Sequence, residues 1–155
     1  MDDVDRKILA ELQENGRLTV TELAERVQLS VSPCHRRLRA LKQSGAIDGY
    51  RAHLNASALG LTFDSLVFVT MRESTRDVIA TFEKTVADIP NVIQAQRLFG
   101  DPDYLLRVVA RDLRAFEALY DDQLSGLPGV QRLTSTLVMK DVVSDRALPL
   151  SSRGG

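Results

Sequence analysis

Apolar positions in the first 45 residues recur at helical spacing in three separate runs. Val4, Ile8, Leu9 and Leu12 share one face behind Asp2-x-x-Asp5, an N-cap followed by an acid at the third helical position, and Gly16 stops the run. Thr19-x-x-Glu22 forms a capping box for a short second helix with Leu23, Ala24 and Val27 inward. A tight turn at Gln28-Leu29 leads to a third helix capped by Ser30 and closed by Gly45; Pro33 stays in its first turn, where a missing N–H costs nothing. Its expected buried face is Val31, Cys34, Leu38 and Leu41. Ile47-Asp48-Gly49-Tyr50 then predicts a hairpin-type turn between short extended pieces, a wing or a strand leading away.

From Thr62 the period changes. Leu66 to Met71 is a short apolar strand, and Val78, Ile79, Phe82, Val86 and Ile89 return at helical spacing before Val92 to Phe99 extends again. Tyr104 to Ala110 is a further strand, Asp112 caps a helix marked by Leu113, Phe116, Tyr120 and Leu124, and Val130 to Met139 closes the pattern. The order βαββαβ predicts a ferredoxin-like sandwich. Ile89-Pro90-Asn91-Val92 and Leu127-Pro128-Gly129-Val130 follow the two helices in the same way, so the halves read as one unit used twice. Such a sheet has helices on one face only. Leu and Val on both sides of its strands suggest that a partner subunit covers the other. Residues from Ser144, small and polar toward the end, are expected to fray.

The fold class is thus α+β: 1–50 a helix-turn-helix, 51–61 a linker, 62–143 the sandwich and 144–155 a flexible tail. Composition agrees with a globular chain, 44% hydrophobic and 26% charged, and no apolar run reaches the length of a membrane span. The acidic start Met1-Asp2-Asp3 is unlike a signal peptide, so a cytoplasmic protein is expected. One cysteine and two separated histidines supply neither a disulfide nor a metal set. No Ser/His/Asp set, acid pair with a His, or phosphate loop marks an enzyme, and no cofactor is expected.

A net charge of −1 argues against nucleic acid until its distribution is considered, because affinity for phosphate depends on where charge sits. His35, Arg36, Arg37, Arg39 and Lys42 crowd the third helix, and no acid occurs from Ser30 to Ile47. A solvated helix face would carry the same charges. Placed on the third of three capped helices, they predict a recognition helix for the major groove of double-stranded DNA. Ser30 and Ser32 suit phosphate, His35 and Arg36 reach base edges, and Arg37, Arg39 and Lys42 clamp phosphates. Cys34 is read as a packing residue, with a redox sensor as the alternative. One unit neutralises few phosphates, so a dimer on two half-sites about 34 Å apart is expected.

Across nearly its whole length the chain resembles the Lrp/AsnC (feast/famine) regulators of bacteria and archaea. The resemblance is carried by Asp2-x-x-Asp5-x-x-Ile8-Leu9, Leu29-Ser30-x-Ser32-Pro33-Cys34 with Arg37-x-Arg39-x-Leu41, Gly45-x-Ile47-x-Gly49-Tyr50, Gly100-Asp101-x-Asp103-Tyr104, and Leu127-Pro128-Gly129-Val130. It implies a winged helix-turn-helix joined to an ACT-like, amino-acid-sensing sandwich, homodimers that associate into octamers, and transcriptional control of amino-acid metabolism or transport. An architectural, nucleoid-organising protein with little sequence preference is the alternative the same module allows. One departure is Gln28, where the family usually has Gly in the turn.

An amino-acid effector needs acceptors for its ammonium and donors for its carboxylate. Asp101 and Asp103 offer the first, backbone N–H groups near Gly100 the second, with Tyr104 beside them; the hydroxyls of Thr134, Ser135 and Thr136 are expected to line the same pocket. Residues 100–104 alone also read as a plain hairpin turn. Asp112 is an N-cap, and only its matching position in the family implies a role in effector response.

Overall fold

The computed structural model describes residues 1–150, and the chain divides into two compact units. Among the described residues the first holds 1–53 together with 142–150, and the second is Leu54–Asp141.

In the first unit, α1 (Asp3–Glu14), α2 (Val20–Arg26) and α3 (Val31–Gln43) begin where the caps predict. Asp2 and Asp5 form a reciprocal capping box on α1, and Thr19 and Glu22 form another on α2. Ser30 occupies the N-cap position of α3, but its hydroxyl makes no capping hydrogen bond. Ile8, Leu23, Ala24, Cys34, Leu38 and Leu41 build the core. Val31, expected inside, is 47% exposed: it shares the line of Cys34, Leu38 and Leu41, but it is the first residue of α3, and the core is met only one turn further in, at Cys34. Gln28 adopts a left-handed φ of 57°, so the turn keeps the geometry that favours glycine and carries a strain of order 1 kcal/mol.

Two expectations are corrected. Residues 46–56 form no paired strand, so the hairpin-type turn at Ile47–Tyr50 is absent; Tyr50 instead lies against Gly16, and Lys42 Nζ sits 5.2 Å from its ring centroid. The tail does not simply fray, because Leu150 packs on the core of the first unit and Leu148 hydrogen-bonds Gln13. Hydrophobicity of one leucine and a main-chain contact, neither periodic, left no sequence signal. Residues 151–155 lie outside the described residues.

In the second unit, β1 (Phe63–Met71), α4 (Arg76–Ala87), β2 (Val92–Arg97), β3 (Tyr104–Ala110), α5 (Leu113–Leu119, continued by a π turn Tyr120–Leu124) and β4 (Val130–Leu137) give the predicted βαββαβ. All pairings are antiparallel, in the order β2-β3-β1-β4. Val67, Val69, Phe82, Leu106, Val108 and Leu124 lie in the core between helices and sheet. Leu66, Phe68, Leu105 and Val109 alternate onto the opposite, open face, where they are half-buried or less shielded than their neighbours, Val109 excepted. Gly129 (φ 72°) opens β4 at a position where a Cβ would collide with Val78 Cγ1 and lie 3.1 Å from Met71 Cε.

Candidate nucleic-acid interface and effector site

At about 100° per residue, Ser32, His35, Arg36, Arg39 and Lys42 fall on one side of α3, opposite Cys34 and Leu41. All five are exposed. The first turn has no acid and the last has Lys42, so the helix presents cations along a face that no carboxylate neutralises from within α3. Ser30 is exposed as well, its hydroxyl free of the capping role. Cys34 is fully buried, and burial pushes its thiol pKa up, which suits packing and disfavours a reactive thiolate.

Arg37 departs from the expected phosphate clamp. It lies to the side of the stripe, and its Nη1 donates to Asp2 Oδ2 at 2.7 Å and to Asp5 Oδ1 at 2.8 Å. The Asp5 N–H, and then the Arg37 guanidinium, hold the Asp2 carboxyl below the usual carboxylate range. The α1 capping box therefore also grips the middle of α3, and Arg37 positions the recognition helix. Its charge is evident in the sequence, but the carboxylates 32 and 35 positions earlier that fold against it leave no local signal.

The predicted effector residues are not gathered into one pocket of the single chain. Gly100 and Asp101 are exposed in the β2–β3 turn. Asp103 is built into the fold: its Oδ2 accepts from the Met71 N–H at 2.7 Å, and its own N–H donates to Val69 O at 2.9 Å. That correction removes one of its carboxylate oxygens from ammonium binding. Tyr104 is buried; its hydroxyl donates to Glu83 Oε1 at 2.8 Å, and burial, reinforced by Glu83, pushes its pKa up to about 12. Asp112 caps α5 by accepting from the Ala115 N–H at 2.8 Å.

Register separates the three hydroxyls of β4. Thr134 pairs with Phe68 and Thr136 with Leu66, both on the open face, whereas Ser135 pairs with buried Val67 and points toward the helix layer. Ser135 is therefore removed from the expected cluster by the two-residue strand period. On the open face, Thr136, Leu66, Arg107 and Gln94 lie in one row across the sheet, and Thr134, Phe68, Leu105 and Gln96 in the next. Arg107 is bound by Asp64 (Nη2 to Oδ2, 2.6 Å) and Asp141 (2.8 Å), an ion cluster that no sequence motif announced. A cleft of about 350 Å³ beside α4 and β2 is lined by Phe82, Val86, Val92 and Ala95, with Glu83 and Arg97 among its polar residues; Tyr104 alone of the predicted effector set borders it.

A helix-turn-helix with an unneutralised basic stripe, in one chain with a sandwich that leaves one sheet face open, defines a DNA-binding protein with a separate ligand-binding or assembly domain. The comparisons narrow that class. Residues 1–48 match the model of a winged helix-turn-helix DNA-binding domain, and residues 65–148 match that of the Lrp/AsnC ligand-binding domain. The Bkd operon transcriptional regulator of Pseudomonas aeruginosa is 38% identical over 97% of this chain and 98% of its own length. The leucine-responsive regulatory protein of Rhizobium meliloti is 39% identical over 92% and 91%. A crystal structure of a Neisseria meningitidis transcriptional regulator in complex with L-methionine superposes with a TM-score of 0.91 at 39% identity, covering 97% of each chain. The chain belongs to the Lrp/AsnC family: it is a transcriptional regulator with a winged helix-turn-helix and a ligand-binding sandwich, not an enzyme. Among the described residues no helix is long and apolar enough to cross a membrane.

Proposed function

We propose that this protein is a sequence-specific regulator of amino-acid metabolism or transport, working on the nucleoid in the cytoplasm, whose DNA binding responds to an amino acid held where the sandwiches of two copies meet. The observation that carries this reading is the open sheet face. It joins apolar Leu66, Phe68 and Leu105 to the Thr134 and Thr136 hydroxyls, a surface suited to a second copy and to a small zwitterion beside it. The methionine complex of the Neisseria relative and the leucine response named for the Rhizobium relative support an amino-acid effector. Gly100, Asp101, Thr134 and Thr136 are the proposed contacts. His35 and Arg36 read bases, while Ser30, Ser32, Arg39 and Lys42 hold phosphates. Assembly is a homodimer that associates further into octamers.

Calorimetric titration of the full chain against each of the twenty amino acids tests the effector; heat for a small apolar amino acid is expected, and no heat for any of them overturns it. Selection of bound duplexes from random sequence tests specificity. A pseudo-palindromic motif preferred by orders of magnitude at fixed salt is expected, and no preference would make the protein an architectural one.

A further inference from the structure

Two contacts hold opposite ends of one short segment, with a weaker one, His53 Nδ1 to Asp145 Oδ2 at 3.4 Å, between them. At its start, Asp141 Oδ2 accepts from Arg107 Nη2 at 2.8 Å, on the sandwich's open face. Toward its end, the Gln13 carboxamide meets the main chain of Leu148 twice: Oε1 accepts from the Leu148 N–H at 2.6 Å, and Nε2 donates to Leu148 O at 3.2 Å. Donation and acceptance at one residue is how neighbouring strands pair, so the contact depends on chain direction and register. Leu150 adds a side chain to the docking, partly buried against the core and lining one cleft with Ile47 and Leu12.

This docking is shallow. The Leu148 side chain is 71% exposed, and a cleft of about 660 Å³ remains among α1, residues 46–53 and the two leucines. A segment held by two hydrogen bonds, an exposed His53–Asp145 contact at 3.4 Å and one partly buried leucine opens far more readily than the core beneath it. The same segment continues from β4, which carries Thr134 and Thr136.

We infer that residues 141–150 form a two-ended strap that couples the open face of the sandwich to the DNA-binding unit. Its first anchor, Asp141 on Arg107, belongs to the surface that a second copy covers; exclusion of water there strengthens the ion pair and holds the strap's origin. Its second anchor, Leu148 on Gln13 with Leu150 against the core, steadies the end of α1 and the segment that follows the recognition helix. Release at either end frees residues 46–53 and weakens DNA binding. The inference rests on the proposed pairing of sandwiches for its input; its output is the DNA binding of the helix-turn-helix.

The test uses full-length protein carrying Asp141→Ala, Gln13→Ala or both. Asp141→Ala leaves Arg107 its bond to Asp64, so the sheet face keeps a partnered arginine. Amide exchange at Leu148 and across 46–53 is measured beside affinity for a selected duplex. Each single variant is expected to speed exchange at Leu148 about tenfold or more, to weaken DNA binding about 3- to 10-fold, and the double variant to be no worse than the weaker single, because the anchors act as one unit. Additive losses, or an Asp141→Ala protein whose exchange at Leu148 and DNA affinity are unchanged, overturn the strap. Circular dichroism melting checks that the variants fold, and Leu150→Ala, which spares both hydrogen-bonding partners, gives an independent release. Sedimentation separates the two readings: a monomeric wild type refutes sandwich pairing, whereas the coupling between Asp141 and Gln13 is read in either state.

Discussion

Arg37→Gln and Arg39→Gln remove the same charge from different sides of one turn of α3, yet they should act on DNA in different ways. Arg39 is exposed on the outer stripe and makes no ion pair among the described residues. Arg37 is only 33% exposed, with both Asp2 and Asp5 on its Nη1. Counterion release makes log affinity fall against log salt with a slope of about −0.9 for each phosphate neutralised. If Arg39 holds one phosphate, its loss flattens the slope by about 0.9 per DNA-binding unit, or about 1.8 when two units bind together. Between roughly 50 and 200 mM salt, a change of about 0.6 in log concentration, one lost contact removes about 3.5-fold of the salt-induced weakening and two remove about 12-fold. Arg37→Gln should leave the slope untouched and lower affinity by the same factor at every salt concentration, since it loosens α3 from α1 without removing a phosphate contact. Fluorescence anisotropy of a selected, labelled duplex at five salt concentrations measures both quantities. If Arg37→Gln flattens the slope as much as Arg39→Gln, Arg37 is a phosphate clamp and the positioning argument fails.

Three further outcomes follow from local geometry. Gly129→Ala adds a Cβ into Val78 at a left-handed φ and should cost about 3 kcal/mol by urea denaturation, with Val78→Ala in the same chain recovering part of the loss; a cost under about 1 kcal/mol would contradict the collision. Gln28→Gly should leave the chain as stable or up to about 0.5 kcal/mol more stable, the relief of about 1 kcal/mol at φ 57° offsetting the entropy that glycine adds to the unfolded state; a loss of more than about 0.5 kcal/mol refutes the strain assigned there. Tyr104 keeps its proton to about 12 in the fold, so the stability this contributes is fully present below the ordinary tyrosine pKa of about 10 and is lost as pH rises toward 12. Denaturation midpoints should fall over that window by an amount equivalent to at most about 2–3 kcal/mol, and Tyr104→Phe should remove that component; an identical alkaline decline in the variant would refute it.

The elements were legible because their signals are local. Capping boxes at Asp2 and Thr19 fixed two helix starts, Asp112 fixed a third, and the switch from helical to strand spacing placed all four strands to within a few residues. Face assignments were legible within the helix, as for Cys34, and failed at its first residue, Val31, where the same face extends past the core. Ser135 differs for another reason: its chemistry matches that of Thr134 and Thr136, but the strand period turns it to the other side. The tail was invisible because Gln13 recognises the main chain of Leu148, which every residue type shares.

The arginines show why the sites were harder to read than the fold. Arg36 and Arg39 stand exposed without an ion pair among the described residues, whereas Arg37 and Arg107 each hold two carboxylates. A guanidinium already engaged by two acids has little reason to exchange them for phosphate, since the Coulombic gain of the new contact is offset by breaking the old ones. An arginine's availability to a ligand is thus set by the acids the fold brings to it: Asp2 and Asp5 to Arg37 across a helix–helix contact, Asp64 and Asp141 to Arg107 across the sheet. Those acids also explain how a chain of net charge −1 can present a cationic stripe. Part of its negative charge is spent holding structural arginines in place, and none of it lies on the face of α3 offered to DNA.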